Sequence, residues 1–415
     1  MFFAPKTIHS RELTFHISDY TLEAVRFFGV RLRCKLSIPK EIKTPSIFSK
    51  YPWLPVYLMV LVVLLVWGAI AFSGTPAEYQ TARQNQETGV GLVARLTEPW
   101  RHWDTPYYLM IAENWYRPGG PELSFPPLYP VLIGILGRII GENYLPAALI
   151  ISWVSTFAAC ILLVQTYRDY TDEPTTQRAV KYLLLFPTAF FLFAGYTESL
   201  FLVFSLLSWQ GAKNGVWWQA GVFGLLASFT RFIGVYLLAA YAWMWLKAPR
   251  KQKGTIAAWL APIPIALVGW FWLTQYYYEI SPSTAVLNFW YLQTAWPWEG
   301  ILNSIRYLVE QPDFFNQVYI YPDVLVVFLF GWAILWAAKR KWWPEAIFMG
   351  ITLGSYLIKV LESGLLISTS RYVLVLFPGF ILLAEWGKNR WFDRLWSVGS
   401  FLYMLFLATF FFVGK

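Results

Sequence analysis

The sequence predicts an all-α polytopic membrane protein with about eleven transmembrane helices, and three observations carry that reading. Of its 415 residues, 57% are hydrophobic and only 14% charged, far more apolar than a soluble domain of this length. The apolar residues gather into long runs, the first of them at the roughly 20 residues that a spanning helix needs. The basic residues sit in short clusters between those runs rather than along one face. The net charge of +9 therefore reads as a set of topology signals and argues against a nucleic-acid surface.

Residues 1–50 carry nine Lys or Arg and no apolar core. They are not a secretory signal and read as a cytoplasmic basic tail. The first span, 51–72, keeps that basic flank in the cytoplasm, so its C-terminal end emerges outside. Residues 73–143 then form a large first outer loop with interfacial helices. Within it, 128–140 offers about 13 apolar residues, too few to cross, and is taken as interfacial or re-entrant. Spans follow at 144–167, 180–195, 197–212, 216–230, 232–247 and 256–275. A second outer loop, 276–320, is rich in aromatics and holds WPWE at 296–299. Spans at 321–338, 346–361, 372–386 and 395–413 complete a single membrane domain, 51–415.

On this path Lys and Arg divide as 23 inside and 10 outside, while the acids, 10 and 14, do not share the bias. Counting 128–140 as a span would invert every later loop and put Lys247, Arg250, Lys251 and Lys253 outside. The charge rule decides against it. Spans as short as 180–195 and 197–212 must tilt, cross a thinned bilayer or end at a water-filled cavity.

The chemistry-bearing stretch is the charged and aromatic run Trp100 to Tyr108. Asp104 has two compatible readings: the N-cap of a helix opened by Thr105 and Pro106, or a general base in a solvated pocket beside the bilayer. Glu198, Arg231, Lys359, Glu362 and Arg371 all fall at outer ends of spans, where a charge is costly unless it is paired or faces a cavity. Glu198 reads equally as a helix-capping carboxylate, and Arg231 as a snorkelling anchor. Arg371, with Tyr372 beside it, suits an anionic phosphate. Glu113 is nine positions from Asp104 and would face away from it on one helix, with Arg117 at i+4 as its ion-pair partner. Trp103, Tyr107 and Tyr108 can stack on a sugar or an isoprenoid chain, or belong to an interfacial aromatic belt. His102 either tunes Asp104, binds phosphate or is structural.

Three histidines, two of them in the tail, and two cysteines, Cys34 and Cys160, leave no metal cluster and no disulfide framework. A glycine-rich phosphate loop and an Asp-x-Asp pair are both missing, so no cofactor, metal or nucleotide is expected.

Several of these segments resemble a known family. WDTPYYLMIAE at 103–113, FPPLYP at 125–130, FPTAFFLFAGYTESLFL at 186–202 and TRFIGV at 230–235 resemble the second mannosyltransferase of GPI-anchor assembly and its prokaryotic relatives. Those proteins belong to the GT-C class of integral membrane glycosyltransferases. One departure is Asn114-Trp115-Tyr116, where family members tend to place a glycine before the tyrosine.

The resemblance implies a GT-C-like fold and an inverting transfer of a hexose, mannose by expectation. The donor would be a polyprenyl or dolichyl monophosphate sugar, and the acceptor a glycolipid or glycan on the non-cytoplasmic side. Asp104 is the expected base, with Arg371 and Arg231 on the leaving phosphate and Trp103 and Tyr108 around the sugar. His102, Tyr107, Glu198 and Tyr372 complete the expected substrate-binding set. The protein would lie in the plasma membrane of a prokaryote or the endoplasmic reticulum of a eukaryote. The rival reading, a transporter or flippase, calls for repeated halves and a midplane site, and the sequence shows neither feature.

Overall fold

The computed structural model describes residues 47–74, 92–311 and 314–414. The expected basic tail lies outside the described residues apart from one helical turn, Ile47–Lys50. So does the part of the first expected loop between residues 75 and 91.

Among the described residues, five stretches are long and apolar enough to cross a membrane: Leu54–Ser73, Tyr144–Tyr167, Arg250–Tyr278, Gln317–Lys339 and Arg390–Phe412. A sixth candidate, Thr369–Val375 with Phe377–Trp386, is bent by 93°. The remaining expected spans are shorter helices. Glu198–Lys213 has 16 residues, Trp217–Thr230 14, Trp343–Leu357 15 and Glu173–Leu184 12. At about 1.5 Å per residue, even 16 residues fall short of a hydrocarbon core of about 30 Å. Helix length and composition thus mark five or six full spans among the described residues, and the expected eleven are not all matched by helices of that length.

Three expected spans end where the sequence reading carried them on. The one placed at 180–195 stops at Leu184, and the chain continues through turns and a short 3-10 segment, Ala189–Leu192. Pro187 disfavours helix in the residue before it and removes a donor, which ends the α-helical ladder there. The one placed at 346–361 ends at Leu357, and Lys359–Leu361 forms strand β2 instead. It pairs antiparallel with β1, Leu292–Thr294, in the register Leu292↔Leu361, Gln293↔Val360, Thr294↔Lys359. Among the described residues the fold is therefore helical with one small two-stranded sheet. The one placed at 372–386 breaks at Leu376, just before Pro378 in the first turn of Phe377–Trp386. The helix expected from 321, by contrast, begins at Phe314 and carries Pro322 inside it.

Between the first long helix and Tyr144–Tyr167 lie Leu92–Thr97, Thr105–Asn114 and Leu128–Ile139. The last is a 12-residue helix packed against both Thr105–Asn114 and Tyr144–Tyr167. Tyr129, fully buried, fixes that packing, its hydroxyl 2.9 Å from Ser152 Oγ and 3.1 Å from the Ala148 carbonyl. Glu198–Lys213 runs through the centre, between Tyr144–Tyr167 and Trp217–Thr230. Gly195, just ahead of it, lets Thr105 come close: a Cβ there would stand 3.0 Å from Thr105 Cγ2.

The pair expected between Glu113 and Arg117 is replaced by another. The Thr105–Asn114 helix ends before Arg117, and Trp115 turns the chain at φ 65°, ψ −171°, a region that favours glycine. The family's glycine and this chain's Trp115 fall at that turn. Beyond it the Arg117 Nε lies 2.9 Å from Oε1 of the fully buried Glu122.

Candidate functional site

A cavity of about 590 Å³ opens where the Thr105–Asn114 helix, the starts of Glu198–Lys213 and Thr369–Tyr372, and the sheet region meet. The charged residues that line it are Asp104, Arg231, Lys359 and Arg371.

Asp104 sits immediately before the Thr105–Asn114 helix, but its side chain makes no capping hydrogen bond. Its Oδ2 instead lies 2.7 Å from the Arg371 Nη2, and the side chain stays 22% exposed. The backbone holds it there. The N–H of Asp104 donates to the Tyr196 hydroxyl at 3.0 Å, and that hydroxyl donates to the His102 carbonyl at 3.2 Å. Trp103, in the left-handed region at φ 54°, reverses the chain between them. As a result His102 turns into the protein, 3% exposed and edge-on to Phe411, while Trp103 and Asp104 line the cavity. His102 thus lies behind the cavity wall and is not part of its lining.

Arg371 is nearly buried and doubly committed. Its Nε lies 2.7 Å from Glu198 Oε1 while Nη2 holds Asp104, a bridge that suits a planar guanidinium with donors at fixed angles. Rings enclose the rest, with the Tyr196, Phe191 and Tyr372 centroids 4.8, 5.2 and 5.2 Å from its central carbon. Arg231 joins from the end of Trp217–Thr230. Its Nη1 is 2.7 Å from the same Glu198 oxygen and 2.8 Å from Thr197 Oγ1.

Glu198 is fully buried and is not part of the cavity lining. It stands behind the arginines as the carboxylate that lets two cations lie side by side. A buried guanidinium pair without that carboxylate would repel and lose solvation together.

The aromatic walls are in place. Tyr107 stacks on Phe125 at 5.5 Å and meets Trp290 edge-on at 5.0 Å. Tyr108, 3% exposed, has its phenol pushed well up by burial and by the nearby Asp104 and Glu198 charges, so it stays protonated. Tyr372 stacks on Tyr356 at 4.3 Å. Trp103, Tyr107, Tyr108 and Tyr372 all line the cavity. Among the described residues no group of three or more His, Cys, Asp or Glu converges.

Sequence reasoning missed two partners. The Tyr196 bond network was invisible because its members are 92 and 94 residues apart. Asp323 was passed over inside an apolar run. It is buried in the Phe314–Lys339 helix, and its Oδ1 accepts the Ser370 N–H at 2.7 Å, which anchors the turn that carries Arg371. A lone acid in that run, next to Pro322, was the available signal.

No protein-family model matches the chain. GPI mannosyltransferase 2 of Drosophila melanogaster is 28% identical over 162 residues, 36% of this chain. The chain matches 36% of that protein's length, a little over a third. The crystal structure of ArnT from Cupriavidus metallidurans bound to undecaprenyl phosphate superposes with a TM-score of 0.50 at 12% identity, covering 88% of this chain and 78% of that one. The chain is thus a multi-pass membrane protein with the GT-C fold, and it is similar in sequence to the second mannosyltransferase of GPI-anchor assembly.

Proposed function

We propose that the chain is a glycosyltransferase that moves a hexose, mannose on the sequence resemblance, from a polyprenyl monophosphate sugar to a glycolipid or glycan on the outer side of its membrane. The observation that carries the proposal is Asp104. Its carboxylate lines a cavity of about 590 Å³ while one oxygen is fixed by an arginine, in a chain with the GT-C fold.

In the proposed step the acceptor hydroxyl oxygen forms a bond to the anomeric carbon as the bond from that carbon to the phosphate oxygen breaks. The hydroxyl proton passes to Asp104, and polyprenyl phosphate leaves with the bonding pair. Attack from the face opposite the leaving group inverts the centre. A carboxylate held by Arg371 in one orientation removes an alignment cost from the transition state. Arg371 and Arg231 add positive charge near the developing phosphate charge. Tyr107, Tyr108 and Trp103 offer flat apolar faces and a protonated phenol to a sugar ring. The aromatic lining at Phe289 and Trp290 suits the first isoprene units.

The test is transfer by purified protein, given a polyprenyl-phosphate mannose or the matching nucleotide sugar together with a glycolipid extract, and read by mass spectrometry of the products. Product from the lipid-linked donor alone is expected. Preference for the nucleotide sugar would overturn the donor assignment.

A further inference from the structure

The cavity's charges are unequally engaged. Asp104 and Glu198 answer Arg371 and Arg231, two carboxylates against two guanidinium groups at contacts of 2.7 Å. Lys359 also lines the cavity, yet among the described residues no carboxylate stands within ion-pair distance of it. Lys359 is exposed at the cavity, so its ammonium, free of a carboxylate partner, is available to an anion that arrives with the ligand.

Local structure holds Lys359 in place. It opens β2 opposite Thr294, and the neighbouring Ile358 carbonyl accepts the Ala295 N–H at 2.9 Å. Strand alternation puts Val360 on the buried face and Lys359 on the other. Ser355, Tyr356 and Ser368, which carry hydroxyls, also line the cavity. Arg371, in contrast, has Nε and Nη2 taken and three rings around it.

We propose that Lys359, not Arg371, is the direct cationic contact for the phosphate of the lipid-linked donor, and that Arg371 is a positioning residue for Asp104. The proposal rests on the donor reading above. With Glu198 counted behind its arginines, Lys359 leaves the site one positive charge in excess, matching the single negative charge of a phosphodiester. A lysine serves as a mobile point charge for phosphate, which suits a group that must be released after transfer.

The experiment measures binding of undecaprenyl phosphate and of uncharged undecaprenol to the full chain in nanodiscs, by native mass spectrometry. The variants are Lys359→Ala, Lys359→Gln and Lys359→Arg, each checked by its thermal unfolding midpoint. The parent should prefer the phosphate. Removing the ammonium should weaken phosphate binding by about ten- to a hundred-fold, the range for a charge-assisted hydrogen bond. Undecaprenol binding should not move, and Lys359→Arg should keep most of the phosphate preference. Lys359→Gln gives the same reading should the alanine variant fold poorly. Unchanged phosphate preference in the Ala and Gln variants overturns the Lys359 assignment and leaves the donor reading standing. A parent that binds both lipids equally overturns both.

Discussion

At its N-terminus the Glu198–Lys213 helix offers a carboxylate to two arginines. At its C-terminus, about 24 Å away, it offers a lysine to a carboxylate. Both charges have the sign the helix dipole favours, and both are nearly or fully buried. They differ in what closes them off. Lys213 Nζ lies 2.6 Å from Glu345 Oε1 and 3.6 Å from the Tyr170 ring centroid, with Tyr167 at 4.9 Å and Trp342 stacked on Tyr167. Glu198 leads through Arg371 to Asp104 and so to a cavity. Burial and pairing are common to both ends, so neither marks function. The distinguishing feature is a chain of contacts that ends on a carboxylate with an open side.

The largest effect expected from that difference is at Asp104. Asp104→Asn keeps the shape but cannot accept the proton, and turnover should fall by about 10²- to 10⁴-fold, the usual worth of a general base. Expression and thermal midpoint should stay near the parent's, since the lost ion pair is partly exposed. Sugar transfer at close to the parental rate would show that the carboxylate is not the base and would make the two helix ends equivalent.

A second pair of variants compares the ends directly. Glu198→Ala leaves buried Arg231 without a carboxylate and Arg371 with Asp104 alone, and Lys213→Ala leaves Glu345 unpaired. Each should cost about 3–5 kcal/mol, the range for breaking a buried ion pair from one side. Midpoints should therefore drop together. Turnover per folded molecule should separate them, falling for Glu198→Ala because Arg371 loses its orientation, and holding for Lys213→Ala. Replacing both partners, Lys213→Met with Glu345→Leu, should recover most of the lost stability. An equal fall in turnover from both single variants would refute the distinction.

Parts of this arrangement were legible in the sequence and parts were not, for identifiable reasons. Charges stand out against apolar runs, so Asp104, Glu198, Arg231, Lys359 and Arg371 could be named together. Which of them pair could not, because the contacts join residues such as Glu198 and Arg371, 173 positions apart. Hydrophobicity alone also set span ends wrongly where a proline acts, as at Pro187 and Pro378. Nor could it reveal that Lys359 begins a strand, since β1 and β2 exist only through each other. The direction of His102 was not legible either, because it depends on Trp103 adopting φ 54°, an uncommon conformation for a bulky residue.

The smallest effect expected concerns the rings. Tyr170 is half exposed and contributes a cation–π contact to Lys213, so Tyr170→Leu should cost about 1 kcal/mol, and Tyr170→Phe, which keeps the ring face, should restore most of it. Neither should change turnover per folded molecule, because the ring seals a pair that leads nowhere. Tyr372 provides the matching contact at the other end, 5.2 Å from the Arg371 guanidinium, but it also stacks on Tyr356 in the cavity wall. Tyr372→Leu should thus shift the midpoint by a similar amount and lower turnover as well, since a guanidinium freed on one face no longer holds Asp104 in a single orientation. Thermal unfolding and transfer rates measured on the same preparations decide the matter. If Tyr170→Leu lowers turnover as much as Tyr372→Leu does, the sealed end of the helix is coupled to the cavity after all, and the contrast between the two ends fails.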